Sequence, residues 1–132
     1  MNLLSITYDK LNNSYSYTMN KSAPSNCHIL DYSFFSEIDL NDRFILFIGS
    51  VWYGVDMATA NALSEIATRH QHTKLYFKLI MDELELPNVV PKEVVFTHLP
   101  IVLFIDKLNV KVISAGPMHK YDLEKKINEL RI

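Results

Sequence analysis

The sequence predicts a single α/β domain: a central mixed β-sheet flanked by helices, with an extra N-terminal β-hairpin. Strand-sized apolar runs at 44–48, 75–81 and 101–105 are separated by a helix-period segment and an irregular crossover. The first 19 residues alternate polar with β-favouring side chains and read differently from the rest. A chain of 132 residues is long enough for one compact core and too short for two domains of ordinary size.

The expected elements follow in order. Ser5-Ile6-Thr7-Tyr8 and Ser14-Tyr15-Ser16-Tyr17-Thr18-Met19, on either side of Leu11-Asn12-Asn13, form the hairpin signal. Lys21-Ser22-Ala23-Pro24-Ser25 reads as a linker, so residues 1–24 are an extension and the main domain spans 25–132. Cys27-His28-Ile29-Leu30 opens it as a strand. Residues 31–38 carry Phe34, Phe35 and Ile38 at helical spacing behind Asp31 or Ser33 as caps, predicting a short helix. Phe44-Ile45-Leu46-Phe47-Ile48, apolar on both faces, suits a central strand. From Asp56 to about His70 the period changes, with Ala60, Leu63, Ile66 and Ala67 on one face of a helix. The strand at 75–81 leads to a crossover at 82–96, broken by Pro87 and Pro91, with one short helix; such crossovers imply parallel strands. Residues 101–105 and 110–113 around Asp106-Lys107-Leu108-Asn109 form an antiparallel hairpin, and Leu123, Ile127 and Leu130 mark the inner face of a terminal helix.

Composition narrows the function. A net charge of −2 offers no bulk attraction for nucleic acid or an anionic membrane surface. No apolar run approaches the ~20 residues of a spanning helix. Without a basic, apolar leader the expected location is the cytoplasm, and the single Cys27 can make no internal disulfide. With only three glycines and no Gly-x-Ser-x-Gly, neither a phosphate-cradling loop nor a nucleophile elbow is present. His70 and His72 diverge on a strand or a helix and have no evident further ligands, so no metal or cofactor is expected. Asp82-Glu83-Leu84-Glu85 reads as a solvated acidic turn, and Cys27 as a small buried hydrophobe.

Several short motifs fall in one order. The run Phe44-Ile45-Leu46-Phe47-Ile48 precedes Ser50-Val51-Trp52-Tyr53-Gly54; Lys78-Leu79-Ile80-Met81-Asp82 ends the next strand; Thr97-His98-Leu99-Pro100 opens the penultimate strand; Gly116 follows the last. Together with the element order, these resemble the thioredoxin-like superfamily over residues 26–132, and Asp31 to Phe35 is similar to the start of the family's first helix. The resemblance implies the thioredoxin fold, a cis-proline at Pro100 and Gly116 facing it.

It also implies a degenerate centre. Where the family carries Cys-Gly-Pro-Cys, this chain carries Tyr53-Gly54-Val55-Asp56, the buried acid is replaced by Phe47, and Lys78 has lost its acidic partner. Disulfide exchange needs an activated thiolate and a resolving thiol; neither position holds sulfur. The resemblance leaves a binding surface of Trp52, Tyr53, Gly54, Val55, Asp56, His98, Leu99, Pro100 and Gly116, with no catalytic residue, in which the backbone beside Pro100 takes an extended protein or peptide segment by strand addition. Each residue also has a plainer reading: Asp56 as a helix-start carboxylate, Tyr53 as a loop aromatic, Trp52 as a packing residue, His98 as an ordinary loop residue. The expected function is a redox-inactive, protein-binding adaptor or assembly factor. The alternatives are a thiol-handling enzyme in which Tyr53 holds a glutathione-type thiol, a residual redox role, or a structural role in which the hairpin extends the sheet or forms a homodimer contact.

Overall fold

The computed structural model describes residues 3–30, 38–39, 41–81, 83–95 and 98–130. Most of the expected helix at 31–38 lies outside the described residues, as do Asp82 and Thr97 of the motifs above.

Strands β1 (Leu4–Asp9) and β2 (Ser14–Met19) form a two-stranded antiparallel sheet of their own. The expectation that this hairpin extends the central sheet is therefore corrected. Its base is fixed to the body by Leu3, whose N–H donates to Asn61 Oδ1 at 2.8 Å and whose side chain is fully buried. The apolar anchor lies at the base of the hairpin, where Leu3, Leu4 and Tyr17 pack on the core.

The second sheet holds β3 (Cys27–Leu30), β4 (Arg43–Ser50), β5 (Lys74–Ile80), β6 (Ile101–Asp106) and β7 (Asn109–Ala115), in the order β3-β5-β4-β6-β7. β5 runs parallel to β3 and β4, while β6 pairs antiparallel with β4 and β7. The continuous apolar run of β4 places it at the centre, because only a strand covered on both faces gains from burying every side chain.

Helix α1 (Gly54–Ala67) and helix α3 (Lys120–Glu129) cover one face. Leu63, Ile66, Leu123 and Ile127 meet Ile45, Phe47, Phe77 and Val102 there. The opposite face presents Phe44, Leu46, Ile48 and Leu103 to Val89, Val90 and Val94, which follow or belong to the four-residue helix α2 (Leu86–Val89). A 3-10 turn, Glu83–Glu85, precedes α2, so the crossover holds two short helical pieces. Among the described residues no helix is long and apolar enough to cross a membrane.

A buried amide holds the turn after α1. Asn26 Nδ2 donates to the carbonyls of Ala67, His70 and Thr73 at 3.1, 3.0 and 2.9 Å. The Ala67 and His70 carbonyls also accept from the N–H of His70 and Thr73, so the amide adds a second donor to each where the helix ends. On the free edge of the main sheet, Lys126 Nζ donates to the Ile113 carbonyl at 3.1 Å, so a charged side chain occupies part of the β7 edge.

Candidate functional site

The site forms where β4 ends and α1 begins. Ser50 closes the strand, Val51 and Trp52 turn the chain, and Tyr53 is the N-cap residue of α1 but supplies no side-chain cap. Its first-turn acid, Asp56, turns inward. Asp56 is 1% exposed, and its Oδ2 accepts from both the N–H and the hydroxyl of Ser50 at 2.8 Å. The carboxylate thus ties the helix start to the strand end, beyond the simple dipole role read from the sequence.

Phe47 lies beneath this tie, fully buried, with its ring 5.6 Å from that of Phe77. The ring reaches up to Gly49, where a Cβ would come within 2.8 Å of Phe47 Cε1 and 3.4 Å of Asp56 Cβ. Gly49 is therefore required by close approach. The position that the resemblance gives to a buried acid is filled by an aromatic ring, and the buried acid of this chain stands at 56. Phe47 pairs with Phe77, which leaves Lys78 beside Ile48 on the other face of the sheet. Lys78 is buried, and no ion pair reaches it among the described residues.

Tyr53 and Val55 point outward, 52% and 51% exposed. With His98, Leu99 and Pro117 they line a groove of about 380 Å³. Trp52 is half-buried against the hydrophobic clusters of both sheet faces, its ring 5.8 Å from that of Tyr53. It stiffens the aromatic wall of the groove and does not line it. The Leu99–Pro100 bond is cis, and the Pro100 carbonyl accepts from Gly116 N–H at 2.9 Å. Gly116 sits at φ 120°, a conformation that L side chains rarely adopt, and the Ser114 hydroxyl donates to its carbonyl at 2.6 Å. Pro100 and Gly116 are thus joined to each other, while among the described residues no hydrogen bond uses the N–H or C=O of Leu99.

The groove continues past Val55 and Pro117 into a larger cleft of about 750 Å³ between α1 and residues 117–120. Ala58 and Ala62 floor it, and an ion pair of Glu65 with Lys120 closes its far end. The Lys120 ammonium holds the Glu65 carboxyl below its ordinary pKa. Sequence reasoning missed this cleft, because its walls are 50 or more residues apart and its floor is only alanine. The one usable signal was a run of small residues on the outer face of a helix.

Cys27 is buried on β3, and burial pushes its thiol up to about 12, far from the activated range of a redox cysteine. His70 Nε2 lies 3.0 Å from Asn128 Oδ1, and His72 is exposed. Among the described residues no three His, Cys, Asp or Glu side chains converge as metal ligands.

Solved structures share this architecture. A chain from the complex of ferredoxin:thioredoxin reductase with thioredoxin f2 superposes with a TM-score of 0.61 at 18% identity, over 80% of this chain and 96% of that one. The fold is that of thioredoxin. An uncharacterized thioredoxin-like protein from Clostridium perfringens matches with a TM-score of 0.55 at 17% identity, over 80% of each chain. MTB dsbF, in its mixed oxidized and reduced forms, matches at 0.50 and 18% identity over 68% of this chain and 81% of its own. No family model and no curated protein sequence matches the chain. At these identities the likeness speaks for the fold, and the thioredoxin-like frame here carries a single cysteine, remote from the motif position.

Proposed function

We propose that this chain is a binding protein built on the thioredoxin fold, an adaptor or assembly factor that holds a protein or peptide segment without exchanging disulfides. The observation that carries the reading is the pair of backbone groups at Leu99, unused among the described residues, set beside the half-exposed Tyr53 and Val55. An extended segment laid along Leu99 gains main-chain hydrogen bonds, as in strand addition, and its side chains meet an apolar wall. Nothing in the groove is a nucleophile of the thiol type. Gly54 and Asp56 also line the groove, but Asp56 Oδ2 is turned inward onto Ser50, which leaves a mostly apolar surface and favours uncharged side chains in the occupant. The same reading assigns the protein to the cytoplasm, where a lone buried cysteine stays reduced.

The test uses the full chain as bait against a displayed library of random peptides, followed by calorimetry on the enriched sequences. Enrichment of extended apolar motifs is expected, with binding weakened at least ~10-fold by Tyr53→Ala and by Leu99→Lys, since central aromatic contacts dominate such interfaces. Affinity unchanged in both variants sinks the groove. Insulin reduction is expected to be absent, and turnover there would overturn the non-redox reading.

The Tyr53 hydroxyl, which has no hydrogen-bond partner among the described residues, favours a second reading in which it receives the thiolate of a glutathione-type thiol. Calorimetric titration with millimolar glutathione decides it: heat that disappears in Tyr53→Phe supports this reading, and no heat dismisses it.

A further inference from the structure

The N-terminal hairpin is two-faced. Its register pairs Leu4 with Met19, Ile6 with Tyr17 and Tyr8 with Tyr15. Directly opposed residues share a face, so those six side chains form one face while Ser5, Thr7, Asp9, Ser14, Ser16 and Thr18 form the other. At the base this apolar face meets the body through Leu4 and the partly buried Tyr17. Farther out it is open, with Ile6 39%, Tyr8 44%, Tyr15 39% and Met19 36% exposed. The Tyr8 and Tyr15 rings lie 4.9 Å apart, and Leu11 stands 96% exposed at the tip.

The β1 edge is open as well. Asn20 N–H donates to the Leu3 carbonyl at 2.8 Å, which makes this an in-facing hydrogen-bonded pair. Bonded and non-bonded pairs alternate along an antiparallel ladder, so the N–H and C=O of Ile6 and Tyr8 point out from β1. Among the described residues none of these groups bonds to another element. Sheet edges are ordinarily blunted by Lys, Pro or a bulge. β1 and β2 have none of these, and the only charge on either strand is Asp9, which is spent within the turn on Leu11 N–H and Asn12 Nδ2.

We propose that two copies of this chain associate through their hairpins, β1 against β1 in antiparallel register, giving a four-stranded sheet with one continuous apolar face. Charge selects a second copy as the occupant. About a two-fold axis near Thr7, Ile6 of one copy stands opposite Tyr8 of the other, and Asp9 stands opposite Ser5. No like charges meet, and no oppositely charged partner is called for. The parity also fits, because an even register keeps every apolar side chain on the same face. A lone two-stranded hairpin is marginal in water, and doubling it to four strands relieves this. The open parts of Ile6 and Tyr8, the apolar side chains that β1 brings to the contact, amount to roughly 170 Å² per copy, taking about 200 Å² for each full side chain. Two copies stay below the 1,200 Å² or so typical of stable complexes, so the association is weak and reversible.

Sedimentation of the full chain between about 10 μM and 1 mM tests this. A monomer–dimer equilibrium with Kd on the order of 100 μM is expected from an interface of that size. Ile6→Lys and Tyr8→Lys each raise Kd at least ~10-fold, by setting a charge opposite an apolar side chain and like charges diagonally across the axis, whereas Asn12→Lys at the turn leaves it within about two-fold, as expected of a rim charge. Melting temperatures that match the parent show that the variants remain folded. A monomer throughout, or a dimer unaffected by Ile6→Lys and Tyr8→Lys, overturns the proposal and leaves the face to a different protein or to solvent.

Discussion

Replacing Asp56 gives a sharp test of how the site is built, because both Ser50 bonds converge on the same oxygen, Oδ2. Asp56→Ala removes two charge-assisted hydrogen bonds and leaves a fully buried N–H and hydroxyl with no acceptor. Such bonds contribute about 1.5–3 kcal/mol each, and an orphaned buried donor costs about 1–3 kcal/mol. The first-turn charge adds about 0.3–1 kcal/mol. Against these stands the cost of holding a carboxylate out of water, which truncation relieves. The net loss is about 3–4 kcal/mol, a large part of the roughly 5–15 kcal/mol that holds a domain folded. Asp56→Asn behaves differently: its carbonyl oxygen takes the Oδ2 position, keeps both bonds and loses only the charge, at a cost of about 1 kcal/mol. Urea denaturation of the two variants and of Ser50→Ala, read as a double-mutant cycle, measures the coupling. If Asp56→Ala is as stable as the parent, or Asp56→Asn is as damaging as Asp56→Ala, the argument from a shared acceptor fails.

Three further outcomes follow from buried polar groups. Asn26→Ala removes three hydrogen bonds, two of them to carbonyls that keep a backbone N–H donor, and is expected to cost about 1–2 kcal/mol; an unchanged midpoint in chemical denaturation would refute this. Ser64 has a hydroxyl with no partner among the described residues and is fully buried, so Ser64→Ala is expected to raise stability by about 1 kcal/mol, seen as a higher melting temperature. Burial pushes the Cys27 thiol up to about 12 from its ordinary 9.0, so the unfolded chain releases this proton first. Its contribution is present below pH 9 and is lost as pH rises toward 12, by about 1.4 kcal/mol per unit. Comparison of the parent with Cys27→Ala from pH 8 to pH 10.5 isolates that slope, and equal slopes would refute it.

The strands were legible because burial on both faces leaves an uninterrupted apolar run, as in β4, and one-sided burial leaves alternation, as in β1 and β2. The start of α1 was legible within two residues from its change of period. Long-range polar contacts were not. Asn26 reads as a strand flank until the fold brings Ala67, His70 and Thr73, 41 to 47 residues away, against its amide. Asp56 at a helix start announced the dipole, yet its burial depends on how closely α1 docks on Ser50, which no local pattern encodes. The groove was legible through its resemblance to a known frame. The adjoining cleft, walled by Glu65 and Lys120 across 55 residues, had no local signature.

Phe47, Gly49 and Asp56 are mutually dependent, like the stones of an arch. Asp56→Cys abandons both Ser50 donors, and Phe47→Asp empties a ring-sized space and strands a charge in it. A side chain at Gly49 is admitted only after the ring has gone. Each of these substitutions is harmful unless the others accompany it, so the three positions can change only together.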